Sequence, residues 1–500
     1  MAQVVVIGAG MGGMACAARL AAKGHAVTVY EQSDTWGGKL GIQTWNNHRF
    51  DTGPSLLTLP AVYRDLFLKT GKPLEESVEL VDLETAFRYQ FADGTVLKMP
   101  GVGVGACATA IGDVLGGKSA QEWKSFQQRA AKMWAVTRKP FLERPLQGLR
   151  TLLSMSWRLG DVRTIAPAKT LRGLAEHYFT DQRLITLVDR YATYSGSDPR
   201  QAPAALATIP YVEQTFGAHH VRGGLRELGR ALFERCEQLG VTFHFNTAVD
   251  HIVAGKSVKS VVTTNGDIVA CDVVVANVDA HVVYHDLLDG TLPIVKKAQH
   301  ALTKVTPSLS GFVINLAVQG KTPELEHHNV FFPEHYDDEF DSIFGIDKTA
   351  MPISDPAIYV CNPRDDAMAP AESESWFVLI NAPRHRNPAD DKTVNWDDQE
   401  LVESYAKNIT NRLASRGFAI EDRTLWSNVI SPAELARRTG SPGGSIYGTS
   451  SNGMRAAFLR PANITDINGL YLVGGSSHPG GGLPLVAMSA EIVAGHIGRA

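Results

Sequence analysis

Thirteen residues at the start of the chain restrict its fold most. Val4-Val5-Val6-Ile7 is an unbroken apolar run, and Gly8-Ala9-Gly10-Met11-Gly12-Gly13 follows it at once, ahead of an alanine-rich stretch of helical character. Such a run suits a strand buried on both faces, and the glycines suit a turn into a helix. Gly8 permits the tight turn, Gly10 lets the backbone approach a pyrophosphate, and Gly13 lets the helix pack closely on the sheet. The helix N-terminus then turns free N–H groups and partial positive charge toward the phosphates. The glycine spacing alone is a weak signal. It gains force because Glu31 ends a second β-branched run eighteen residues after Gly13. A carboxylate there accepts from both ribose hydroxyls and repels a 2′-phosphate, which disfavours NADP.

Five hundred residues exceed one ordinary core, so two or three domains are expected. A balance of 48 basic against 52 acidic residues argues against wholesale nucleic-acid binding. Cys16, Cys107, Cys236, Cys271 and Cys361 are scattered and never spaced C-x-x-C. They read as reduced thiols of a cytosolic protein, neither a disulfide framework nor a metal site. The first strand begins at Val4, leaving no room for a signal peptide, and no long apolar run suits a spanning helix. The sequons at Asn408 and Asn463 are read as chance matches.

A helix is predicted over 11–23, stopping at Gly24, and a second strand over 27–30. A helix-period segment over 225–239 precedes a strand over 241–245. Strands over 258–263 and 268–271 flank Asn265-Gly266, a hairpin signal whose two central positions both call for positive φ. Apolar strands over 273–276 and 470–473 complete the set. The nucleotide-binding domain is therefore expected to be discontinuous, built from 1–70, 218–290 and 440–500. A substrate domain is expected from 71–110, 183–217 and 291–439, and a helical subdomain from 111–182. Within 132–179, nine Lys or Arg stand against three acids, interleaved with Met133, Trp134, Phe141, Leu152, Leu153, Met155 and Trp157. That mixture suits the interface of an anionic membrane; it equally suits a charged helical surface whose apolar side packs on the core.

No second dinucleotide fingerprint is evident. Gly101-Val102-Gly103-Val104-Gly105 follows Lys98-Met99-Pro100, read here as no strand, and has no acidic partner. Trp36-Gly37-Gly38-Lys39 follows the second strand closely, and Phe50-Asp51-Thr52-Gly53-Pro54 offers backbone and a carboxylate nearby, unless Asp51 only caps a turn. Near the other end, Gly474-Gly475-Ser476-Ser477-His478-Pro479-Gly480-Gly481-Gly482 is a glycine-rich closure that a simple dehydrogenase has no reason to keep. The two termini together point to a flavin dinucleotide lying between them.

The segments VVVIGAGMGGMACAARLAAKGHAVTVYEQSDTWGGK, FDTGPSLLTLP, YATYSGSDPRQAPAAL, GGLRELGRAL, VVVANVDAHVVYHDLL and GLYLVGGSSHPGGGLPLV resemble, in order, the bacterial-type phytoene desaturase (carotenoid desaturase) family of FAD-dependent oxidoreductases. The first is shared with amine oxidases; the last is more selective. Lys39 stands where the family often has Arg, keeping the charge and losing the planar fork. The resemblance implies an α/β fold: a Rossmann-like FAD-binding domain of glutathione-reductase/amine-oxidase type, a mixed-sheet substrate domain and a helical membrane-facing subdomain. It implies a non-covalent FAD whose ADP half meets Gly8, Ala9, Gly10, Gly12, Gly13 and Glu31. Gly37, Gly38, Lys39, Gly53 and Pro54 would lie near the pyrophosphate or ribityl, and Val249 would meet the adenine through its backbone. Gly474, Gly475 and Ser476 would line the ribityl side. A helix beginning near Leu485 or Val486, with Ala487, would aim its N–H groups at the flavin's pyrimidine edge.

The same resemblance implies a long apolar substrate tunnel and hydride transfer from a polyene to flavin N5, with phytoene or a related C40 or C30 polyene as substrate. A base is still needed, and no acid pair of convincing spacing presents itself. Arg150 and His478 are the candidates, the first equally a membrane-facing cation, the second equally a loop-ordering residue. His219-His220 and His327-His328 lack metal-ligand spacing and read as surface residues, so no metal is expected. Oxygen or a quinone would reoxidise the flavin, and a cytoplasmic enzyme touching the membrane peripherally would draw its substrate from lipid. Other readings are a 3,4-desaturase of hydroxylated carotenoids, an FAD oxidase of amine-oxidase type, and a non-enzymatic prenyl-lipid binder of the Rab GDP-dissociation-inhibitor kind.

Overall fold

A computed structural model describes the chain except for residues 147–158, 347–348, 387–392 and 454–455. The strand Gln3–Ile7 pairs in parallel with Ala26–Tyr30 on one side and Val273–Ala276 on the other. Leu470–Leu472 and Thr242–His244 extend the sheet at its two edges, again in parallel. Its five strands thus come from three distant stretches of sequence. Alternation along Gln3–Ile7 divides the interior: Val4 and Val6 face one core, Val5 and Ile7 another. On the first side lie the helices Met11–Ala22, Arg226–Gln238 and Leu483–Ile497; on the second, the antiparallel strands Val249–Ala254, Val258–Thr263 and Ile268–Ala270. The hairpin between the last two forms as expected, by a different turn. Only Gly266 takes positive φ, and its N–H donates to Thr263 O at 2.9 Å.

A seven-stranded mixed sheet stands beside this unit, in the order Thr424–Ile430, Ser310–Gln319, Ser373–Ala382, Ile358–Cys361, His328–Phe331, Thr85–Gln90, Val96–Pro100. Its Phe312, Ile314, Trp376 and Val378 face pack against Val402, Tyr405, Ile409 and Leu413 of the helix Gln399–Ser415. The register sets His328 opposite Cys361, and Tyr359 opposite both Val330 and Leu379, so these side chains share the other face. Val96–Pro100 is a strand, contrary to the sequence reading, and Gly101 does lead from it toward the helix Val104–Leu115. It is an antiparallel edge strand, however. A Cβ on Gly101 would lie 1.5 Å from Leu83 O, so that glycine serves backbone packing rather than a second dinucleotide turn.

Helices Val104–Leu115, Gly117–Thr137, Leu159–Ile165, Leu171–Tyr178 and Gln182–Thr193 run across both bounds of the 111–182 stretch expected to be helical. In Gly117–Thr137, Trp123, Phe126, Ala130 and Met133 recur at helical spacing and are fully buried. Met133 is therefore a core residue, while Trp134 and Phe141 are half-buried. Leu152, Leu153, Met155, Trp157 and Arg150 lie outside the described residues. Among the described residues no helix is long and apolar enough to cross a membrane.

Two glycines test this packing from opposite directions. A Cβ on Gly13 would sit 2.2 Å from Gly8 O, whereas one on Gly495, inside Leu483–Ile497, meets nothing within 4 Å. Gly13→Ala is expected to lose about 1–3 kcal/mol of stability through overpacking, and Gly495→Ala to gain about 0.5–1 kcal/mol through helix propensity. Thermal unfolding of the two variants beside the parent checks both signs.

Candidate active site

The two chain ends meet on one side chain. Asn277, just past the Val273–Ala276 strand, donates its N–H to Ile7 O at 2.8 Å and its Nδ2 to Gly8 O at 3.4 Å. Added Cβ atoms on Gly10, Gly12 and Gly474 would each come within 2.6–2.7 Å of its amide. A Cβ on Gly12 would also lie 3.0 Å from Val486. The glycines are therefore the condition for the opening turn, Asn277 and the closing loop to nest together. The helix Met11–Ala22 has neither a capping side chain nor an acidic residue in its first turn, and neither does Leu483–Ile497. Two positive helix ends thus face the same region. The closing helix begins at Leu483, two residues before the predicted start, because Gly482 ends the loop and Pro484 suits the first turn.

Glu31 is buried at the end of its strand. Oε2 accepts from Ala9 N at 2.7 Å, and Oε1 accepts from Ser33 N and Oγ at 3.0 and 2.8 Å. A carboxylate so held keeps lone pairs for further donors. Glu31 O receives Thr247 N at 2.9 Å, which brings the start of the Val249–Ala254 strand alongside. Gly37 pairs with Gly10, and Gly38 comes within contact of it. Lys39 Nζ donates to Ser445 O and Ile446 O at 2.9 and 3.2 Å, and the charge of Asp279 also reaches it. Burial pushes its pKa down to about 8. A Cβ on Gly53 would strike Lys39 O at 1.9 Å, so Gly53-Pro54-Ser55 lies directly on the Gly37–Lys39 turn. Asp51 is a cap, but of a helix: it accepts from Leu225 N and Arg226 N, at 2.7 and 3.1 Å, at the start of Arg226–Gln238.

In the closing loop, Ser476 Oγ accepts from Ala280 N at 3.1 Å, and Gly474 N donates to Ser489 Oγ at 3.2 Å. Arg460, missed by sequence reading, is buried and donates to the carbonyls of Tyr447, Thr449 and Gly475. Asn463 is fully buried with Nδ2 donating to Leu472 O, His478 O and Ser489 Oγ, which closes the sequon to glycosylation. His478 Nε2 lies 3.1 Å from Arg144 O, and the Phe141 ring meets its imidazole edge-on at 5.1 Å. Burial holds it down to about 4, so it is a neutral ring tying the 141–144 segment to the loop.

Tyr194, Tyr359 and Tyr447 are half-buried. Ser55, Leu56, Leu379 and Ile446 are half-buried around the same place. One wall is polar. Arg190 Nη1 donates to the Tyr194 hydroxyl at 2.9 Å and lies over the rings of Phe87, Tyr194 and Tyr359 at 4.9–5.8 Å. Tyr191 and Tyr194 hydroxyls donate to Glu213 at 2.6 and 3.4 Å. The histidine pairs are not surface residues: His220, His327 and His328 are all buried. Ligand atoms of His327, His328 and Cys361 lie within 4.8 Å of one another. Yet His328 Nδ1 is engaged by the Tyr359 hydroxyl at 2.7 Å, and burial raises the Cys361 thiol far above the thiolate range. They form a buried polar wall on this face of the sheet.

The model of the flavin containing amine oxidoreductases matches residues 11–497. The chain belongs to that family. It is an FAD-dependent oxidoreductase, and the buried Glu31, the two uncapped helix ends and Lys39, bonded to carbonyls, suit an anionic dinucleotide. Its sequence is 32% identical over 510 residues to a 1-hydroxycarotenoid 3,4-desaturase of Flavobacterium sp. (strain P99-3), covering 99% of this chain and 98% of the relative. It is 30% identical to a 4,4'-diapolycopene oxygenase of Methylomonas sp, covering 98% and 97%. A putrescine oxidase variant shares the fold at a TM-score of 0.66 and 13% identity, covering 99% and 98%. The resemblance to carotenoid desaturases thus holds over the whole chain.

Burial raises Glu213 to about 7, while its tyrosine partners and Arg190 oppose the rise. Folded Glu213 therefore holds its proton more tightly than the unfolded chain does. Its contribution to stability is full below about pH 4.5 and is lost as pH rises through about 7. Glu213→Gln is expected to gain about 2–3 kcal/mol on the parent between pH 5 and pH 8. Chemical denaturation at both values measures it, and an equal difference at the two would contradict the assignment.

Proposed function

We propose that the chain is a carotenoid desaturase that removes two hydrogens from adjacent carbons of a polyene, the FAD accepting the hydride at N5. The observation that carries this reading is end-to-end similarity to a 1-hydroxycarotenoid 3,4-desaturase. A hydrocarbon substrate offers few polar handles, so shape and apolar contact set its register. The developing positive charge is allylic and shared with the polyene.

In this reading the FAD-binding domain comprises 1–70, 218–290 and 440–500. Gly8, Ala9, Gly10, Gly12, Gly13 and Glu31 receive the ADP half, with Val249 at the adenine. Gly37, Gly38, Lys39, Gly53, Pro54, Gly474, Gly475 and Ser476 lie along the pyrophosphate and ribityl, and the Leu483–Ile497 helix faces the pyrimidine edge. Oxygen or a membrane quinone takes the electrons. Contact with a membrane through the helical region is supported by Val102, Val114 and Phe216, which are 60, 43 and 40% exposed. Trp134 meets the Phe216 ring on one side and the Arg138 cation on the other, and that cation also pairs with Glu143. Cosedimentation with anionic liposomes at low salt tests that contact.

Oxygenation of a polyene is a second reading, favoured by the diapolycopene oxygenase relative. Expression in bacteria accumulating phytoene, a 1-hydroxycarotenoid or a C30 polyene separates the two: desaturation lengthens the chromophore with loss of two hydrogens in mass, whereas oxygenation adds oxygen. Unchanged pigments in all three hosts would refute both.

Lys39 gives a further test. Its ammonium is half-neutral near pH 8 in the free protein, and an anionic cofactor favours the charged form. FAD affinity is expected to fall as pH rises above about 8, by up to about ten-fold per pH unit. Lys39→Met should bind more weakly at pH 7 and lose the slope, as read by flavin fluorescence.

A further inference from the structure

Desaturation produces a proton inside a largely apolar space, and the described residues offer a path for it. Ser55, beside the Gly53-Pro54 turn, has its Oγ 2.7 Å from the Tyr359 hydroxyl, and that hydroxyl lies 2.7 Å from His328 Nδ1. His328 is fully buried, and its Nε2 has no hydrogen-bond partner among the described residues. The His327 ring lies 4.5 Å from that of His328, and an imidazole nitrogen of each lies within 4.8 Å of the other's, a span that one water bridges. The His220 ring is 4.7 Å from His327, and His220 Nε2 lies 2.8 Å from Asp365 Oδ2. Asp365, with Asn362 and Met368, lines a surface pocket of about 330 Å³.

Resting on the desaturase reading, we infer that Ser55, Tyr359, His328, His327, His220 and Asp365 form the route by which the proton of desaturation leaves the substrate space. One C–H bond of the polyene breaks with its electron pair passing to the flavin, the oxidant. On the neighbouring carbon the C–H electrons become the new π bond, and the proton goes to Ser55 Oγ. Ser55 gives its own proton to the Tyr359 oxygen, and Tyr359 gives its proton to His328 Nδ1. The imidazolium then releases its Nε2 proton toward His327, His220 and Asp365. A C–H beside a carbocation is a strong acid, so a weakly basic neutral imidazole suffices. Burial holds His327 and His328 well below their ordinary range; His328, His220 and Arg364 add to this at His327, where a backbone bond with Pro363 opposes it, and His220 and Arg190 add to it at His328. Neither ring therefore retains the proton. Burial of Asp365 is outweighed by bonds from His220, Gly223 and Ala367, which keep it an anion at the outer end. Asp51 also faces His220, and the protonated Cys361 thiol and Tyr359 complete the surroundings.

The test uses the FAD-bound full chain. In ¹⁵N-histidine spectra at pH 7, His328, assigned through His328→Gln, is expected as the neutral Nε2–H tautomer, with an Nδ1 resonance that moves in Tyr359→Phe. An Nδ1–H tautomer overturns the proposal, because that nitrogen could not accept. In anaerobic single turnovers with a pH indicator, the parent should release one proton in step with flavin reduction. Tyr359→Phe, which keeps the ring, should slow both by about ten-fold or more. Asp365→Asn should delay the proton's appearance relative to flavin reduction, and an undelayed proton would contradict its place at the outer end. Parental rates of both events in Tyr359→Phe and His328→Gln would overturn the route. A parent protein whose flavin no carotenoid reduces would instead overturn the desaturase reading, and the tautomer would still report on the relay geometry.

Discussion

The fold depends on a close approach of backbones around Asn277. Its amide is hemmed in by Gly10, Gly12 and Gly474, and Gly13 lies against the carbonyl of Gly8. Any side chain at these positions would push the opening helix off the sheet or the closing loop off the opening turn. The same nesting directs the N-termini of Met11–Ala22 and Leu483–Ile497 to one place, so anion affinity follows from packing. Lys39 and Arg460 add buried cations there, each satisfied by carbonyls. Both helices meet the cofactor region with the same sign of charge.

Much of the dinucleotide-binding unit was legible because unbroken apolar runs and glycine turns are local signals. The strands around Val4, Val27, Val258, Val273 and Leu470 lie within a residue or two of their predicted bounds. The closing helix began earlier than predicted because Pro484, a breaker inside a helix, is favoured in its first turn. The strand at Val96–Pro100 was missed because its proline sits at the end of an edge strand, where no ladder N–H is needed. Asn277 and Arg460 carry no local signature; their roles exist only once distant segments fold together.

The histidines mark the sharper limit. His327-His328 read as surface residues because the pair lacks metal-ligand spacing. The sheet instead sets His328 opposite Cys361 and beside Tyr359, and the hydroxyl of Ser55, far away in sequence, completes the contact. Arg190 and Glu213 are hidden in the same manner, each made tolerable in the interior by tyrosines from its own neighbourhood. Polar groups in this wall are arranged by tertiary register, which no window of sequence contains.

The parallel sheet takes its last strand, Leu470–Leu472, from near the end of the chain, against Val273–Ala276, which is buried throughout. A chain that lacks Leu470–Leu472 leaves the apolar Val273–Ala276 edge uncovered, a sticky template for other chains.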